Sequence, residues 1–171
     1  MFERAPAKLL ENRHPLLVGV AAGLIAGVVT AGADKLLDRF VSAKHKKRDR
    51  RVREASAHQM AGPHFSAKIH GRRLSSKEKK RARFAFSVAY GLGWGIIHSS
   101  LRKRFPQLSR LGGLPFAIPF FFACDGVIAP ALGVSPGLRR IPLQPSVKEM
   151  GNHIAWTAAA ELIHRVAGRG R

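Results

Sequence analysis

The sequence predicts an all-α polytopic membrane protein, a four-helix transmembrane bundle with a long basic loop between its first two helices. Three observations predict it. Four apolar stretches recur along the 171 residues. The basic residues are segregated between those stretches, and small residues repeat at helical spacing within them. Whole-chain averages conceal the pattern: 46% hydrophobic and 23% charged residues would suit a soluble domain. Lys+Arg 30 against Asp+Glu 10 give a formal charge of +20. A single cysteine, Cys124, excludes a disulfide scaffold. Long apolar runs with ten Phe and two Trp exclude a disordered chain.

The first span is expected over 16–37. Its charge-free part, LLVGVAAGLIAGVVTAGA, has Thr30 as its only polar side chain. At 1.5 Å per residue it measures about 27 Å, near the roughly 30 Å of bilayer hydrocarbon. Asp34 and Lys35 then fall near the interface. Gly19, Gly23 and Gly27 recur every fourth residue, a row that Ala31 extends. Gly91 and Gly95 repeat the spacing in the second apolar stretch. Small residues on one face let helix backbones approach closely where lipid supplies no hydrophobic drive, so these five glycines are expected to pack helices. Lys8 and Arg13 ahead of the run, with Ala31-Gly32-Ala33 at its end, mimic a secretory signal. The strongly basic sequence that follows opposes translocation, so the run is expected to remain as a span.

The loop over 38–83 carries sixteen Lys or Arg against four acids. It is expected to continue the first helix from Asp34 to about His58. Its densest part places Lys44, Lys46, Lys47, Arg48, Arg50, Arg51 and Arg53 beside the membrane, where anionic headgroups attract such residues. A partner protein or a second copy of the chain is the other expected contact. Nucleic acid is not expected, because Phe65 is the lone aromatic between Val41 and Phe84 and no stacking platform exists. His58, His64 and His70 recur every six residues, which fits no common ligand spacing. No metal or cofactor is expected.

The second span, 84–101, again lacks formal charge. The third, 114–134, is interrupted by Asp125 alone, and Pro115, Pro119 and Pro130 predict a kinked helix. The fourth, 147–166, is more polar. In it Glu149, His153, Thr157, Glu161 and His164 step by four, four, four and three, forming one stripe. In a spanning helix such a stripe faces the bundle interior or a watery cavity. Lying flat at the interface is the alternative. His98, His153 and Glu161 are the partners expected for Asp125, and with His164 they would form an intramembrane polar cluster. No nucleophile-elbow, P-loop or zincin motif is present, so no enzymatic activity is expected.

Positive residues near membrane ends stay cytoplasmic. The first and third loops together carry about nineteen basic residues, and the termini with the second loop about ten. The basic loop is therefore expected in the cytoplasm and both termini outside.

Cys124-Asp125-Gly126-Val127-Ile128-Ala129-Pro130-Ala131-Leu132-Gly133-Val134-Ser135-Pro136, followed by His153-Ile154-Ala155-Trp156, resembles the YagU-like family of small bacterial inner-membrane proteins. Gly23-Leu24-Ile25-Ala26-Gly27 echoes that family's Gly-x-x-Ala-Gly element in its first span. Gly126 stands where the family carries Glu, so a role for adjacent carboxylates does not transfer. The resemblance implies a multi-pass bacterial inner-membrane protein without established enzymatic activity. A structural or accessory role is expected, with small proton- or ion-linked transport through Asp125, His153, Glu161 and His164 as the alternative.

Overall fold

The computed structural model describes residues 15–168. Lys8 and Arg13, which figure in the signal-like pattern, lie outside the described residues. Six helices and no strand occur among the described residues: α1 (Pro15–Leu37), α2 (Ala43–Arg50), α3 (Ala57–His70), α4 (Ser76–Arg104), α5 (Leu114–Phe121) and α6 (Leu143–Gly168). Four of them coincide with the four apolar stretches. The helical runs Leu16–Phe40 and Pro106–Ala131 are long and apolar enough to cross a membrane, and only 28% and 39% of their apolar windows are buried. The longer helices α4 and α6 carry more charge and do not meet that criterion.

Helix α1 packs against both α4 and α6, α5 lies against α6, and α3 lies against α4. The glycine rows set the first of these contacts. A Cβ on Gly23 would stand 2.0 Å from the Gly91 carbonyl oxygen, and one on Gly95 would stand 2.3 Å from that of Gly19. No side chain fits between backbones so close. Gly27 corrects the expected row: a Cβ there would meet nothing within 4 Å. The two helices have parted by that turn, so Gly27 packs no neighbour. Beside the glycine row, α1 carries Ala22 and Ala26 into a core with Phe116, Phe120, Cys124, Trp156 and Ala160.

The stretch 38–83 is folded, not a free loop. The predicted continuation of α1 to His58 is interrupted by a 3-10 turn at Asp38–Phe40 and by extended backbone at Ser42. Ser42 caps α2: its hydroxyl accepts from the His45 N–H, while its own N–H donates to the Gln144 side chain at 2.9 Å. Helix α3 then runs back along α4. A Cβ on Gly62 would lie 2.2 Å from the Ala82 carbonyl oxygen, and the His58 Nε2 sits 2.9 Å from the Ser87 Oγ. Gly71, at φ 62°, ends α3 in the left-handed region that glycine adopts without strain. Ser75 and Glu78 open α4 with a reciprocal capping box.

The third apolar stretch, in which prolines predict a kink, contains a π-helical segment. Helix α5 continues through Phe122–Ile128, where the Ala129 N–H reaches back five residues to the Cys124 carbonyl, and then through Ala129–Ala131. The helix ends there, short of 134, with Leu132 and Gly133 turning the chain. Before α5, Gly113 combines φ 86° with a close approach to Thr157, leaving no room for a side chain.

Candidate functional site

Helix α6 places the polar stripe inward. Glu149, Asn152, Thr157, Glu161 and His164 are buried, whereas Leu162 and Val166 on the opposite face are exposed. His98 of α4 and Asp125 of the π-helical segment are buried as well. The stripe thus faces the other helices of the bundle.

The expected single cluster of Asp125, His98, His153, Glu161 and His164 is two clusters. Phe116, Phe120 and Trp156 form an aromatic layer between them: Phe116 packs edge-on to His98, and Phe120 packs edge-on to both Trp156 and His153. The side chains of one group do not meet those of the other across three large rings.

The first group surrounds Glu161, whose side chain is 1% exposed. Its Oε1 accepts from the Ser109 hydroxyl at 2.9 Å and from the Arg102 Nε at 3.4 Å, and the His98 Nε2 lies 3.1 Å away. The His164 ring stands 5.7 Å from the His98 ring, centroid to centroid. Arg165 donates to the Ser109 carbonyl, tying the segment Pro106–Gly113 to α6. Arg102 and Ser109 are functional neighbours that the spacing of α6 could not reveal, since both come from other elements.

The second group lies at the other end of α6. The His153 Nδ1 lies 3.0 Å from the Glu149 carbonyl oxygen, which can only accept, so that nitrogen carries hydrogen in the contact. The Nε2 then faces the Asp125 Oδ2 at 3.5 Å. A proton placed between them would make either imidazolium with carboxylate or imidazole with carboxylic acid. Next to this pair, Arg53 reaches Asp49 at 2.8 Å and Glu149 at 3.3 Å. Asn152 donates to Asp34 at 2.8 Å, Lys148 pairs with the same carboxylate at 2.9 Å, and Lys46 pairs with Asp38 at 2.6 Å. The Lys46 hydrogen bond holds the Asp38 carboxyl below its ordinary range.

These ion pairs correct the expected headgroup contacts. The Arg53 side chain is buried against α6 and so is withdrawn from the surface, and Lys46, part-exposed, is paired with Asp38. Lys44, Lys47, Arg48, Arg50 and Arg51 are exposed. In the run 44–53 the sequence offers no sign of which cation turns inward, because the selecting carboxylate, Glu149, is on α6. No group of three or more metal-ligating side chains occurs among the described residues. No family model, curated protein or solved structure matches the chain.

Proposed function

We propose that the chain is a multi-pass membrane protein in which α1, α4, α5 and α6 span the bilayer, with a structural or accessory role. Its exposed α2 cations engage anionic lipid headgroups. One observation carries this reading: all four helices turn large apolar side chains outward while a set of polar side chains is buried among them. His98, Asp125, Glu149, Asn152, Thr157, Glu161 and His164 are inside. Leu16, Leu24, Ile25, Val28 and Val29 of α1, Ile96 and Ile97 of α4, Ile118 of α5, and Leu162 and Val166 of α6 are outside. Each of the four helices thus presents apolar side chains outward, which hydrocarbon tolerates and water opposes. The likeness of Cys124–Pro136 and His153–Trp156 to the YagU-like family supports a bacterial inner membrane as the location. The positive-inside rule supports a cytoplasmic position for α2.

Resistance of the membrane-bound chain to alkaline carbonate extraction tests the reading, and recovery in the soluble fraction defeats it. A chain with Cys124→Ala and Lys47→Cys gives the orientation. Labelling by an impermeant maleimide in inverted vesicles is expected, and labelling only in right-side-out cells reverses the topology.

A second reading, small proton- or ion-linked transport, is favoured by the Asp125–His153 pair, whose carboxylate sits in the π-helical segment 3.5 Å from the imidazole. Reconstituted vesicles with a trapped pH dye test it; Asp125→Asn abolishing a measurable proton flux supports it, and wild-type vesicles as tight as empty ones refute it.

A further inference from the structure

The group around Glu161 contains more polar capacity than its contacts use. Glu161 Oε2, both ring nitrogens of His98 and His164 Nε2 are buried without a hydrogen-bond partner among the described residues, and so is the Trp156 Nε1 beside them. Arg102 already balances the charge of Glu161 through the other oxygen. A purely structural ion pair has no need of two imidazoles, and apolar rings in their place would leave fewer buried polar atoms unpaired.

We propose that His98, Glu161 and His164 form a proton-binding site at the Ser109 end of the bundle, taking up one proton as the pH at that face falls. The inference deepens the proton-linked reading by naming a site and the species it binds. The proton comes from hydronium in the adjoining water and adds to the imidazole of His98. The bond broken is the O–H of hydronium, and the imidazolium then faces Glu161 Oε1 with its Nε2 3.1 Å away. Among the described residues, the groups facing the site are few. Helix α4 contributes His98, Arg102 and Lys103; α6 contributes Glu161, His164 and Arg165; the segment Pro106–Gly113 contributes Ser109. Helix α5 brings only the ring of Phe116, and the described titratable residues of α1, Asp34 and Lys35, lie at its opposite end.

Uptake stops at one proton because the two imidazoles are neighbours: a charge on one opposes a charge on the other across 5.7 Å. Before uptake, Glu161 and Arg102 sum to zero. Afterwards two cations compete for one carboxylate, and Arg102, the more exposed and more distant, is the one displaced. Protonation thereby moves the α4 partner of Glu161 from Arg102 to His98.

Trp156 is a built-in reporter, since its ring lies edge-on to His98 with centroids 5.9 Å apart, and imidazolium quenches indole emission. Trp94→Phe leaves Trp156 as the lone tryptophan. The purified variant in detergent is titrated from about pH 8 to about pH 4. Its emission is expected to fall reversibly in a single one-proton transition, lost in Trp94→Phe/His98→Gln. A flat titration overturns the site, as does an unchanged transition in the His98→Gln background. Arg102→Gln, at a part-exposed position, removes a competing positive charge without opening a core cavity. It is expected to move the transition to higher pH, and an unmoved midpoint also overturns the proposal. Vesicle flux is separable: a Trp156 transition without flux ends the transport reading and leaves the proton site standing.

Discussion

Gly23 of α1 and Gly91 of α4 face one another so closely that a methyl group on Gly23 would stand 2.0 Å from the Gly91 carbonyl oxygen. Neither backbone can yield without opening the contact. Gly23→Ala is expected to cost at least about 1–3 kcal/mol through overpacking. Gly27→Ala, one turn along the same helix, meets no neighbour and is expected to stabilise by up to about 1 kcal/mol through helix propensity. Thermal unfolding of both variants in one detergent checks the pair, and equal effects contradict the crossing point.

Arg53 is the latch that holds the connection between α2 and α3 on the bundle. Its side chain is 5% exposed and that of its partner Glu149 is 10% exposed. Arg53→Met strands the Glu149 carboxylate, which is expected to cost about 3–5 kcal/mol. Adding Glu149→Gln removes the stranded charge and is expected to restore most of the loss. Unfolding midpoints of the two single variants and the double variant measure the coupling. Additive losses contradict a direct pair.

Much of this arrangement is legible in the sequence because it depends on spacing within one helix. The four-residue steps from Glu149 to Glu161 predict an inward stripe, and α6 buries it. The apolar run 16–33 predicts α1 to within a turn. What is not legible depends on contacts between distant segments. Whether His98 meets Asp125 or Glu161 is decided by which α5 rings lie between them, and hydropathy is silent on that. Gly27 has the same spacing as Gly23, and only the crossing geometry tells them apart. Arg53 resembles its basic neighbours until Glu149 is brought against it. The break at Ser42 was hidden by a charge run that suits a helix on either side of it.

The exposed cations of α2 should respond to lipid charge in a residue-specific way. Lys47, Arg48 and Arg51 are exposed, and each is expected to contribute about 1 kcal/mol near an anionic surface at low salt. Adding phosphatidylglycerol to the detergent-solubilised protein is expected to raise its melting temperature, an effect that high salt weakens. Neutralising those three residues should remove most of the gain, whereas Lys46→Gln should leave the lipid response intact because Lys46 serves Asp38. An undiminished lipid response in the triple variant counts against headgroup contact.

Glu78 gives the start of α4 a defined acid sensitivity. Its hydrogen bond from Arg72, with those from Ser75, lowers its carboxyl from the ordinary 4.5 to about 2. A depressed carboxyl stabilises the folded state above the unfolded value, and that contribution disappears as the pH falls from about 4.5 toward about 2. Glu78→Gln mimics the protonated side chain. The wild-type protein is therefore expected to melt above the variant at neutral pH, with the gap closing across that acid window. Arg72→Ala removes the largest of these hydrogen bonds and should move the window upward, toward 4.5. Melting curves of the three proteins, followed by helical circular dichroism at a series of pH values, read the gap directly. A gap that persists unchanged at the acid end means the capping carboxylate does not set the stability of this helix start.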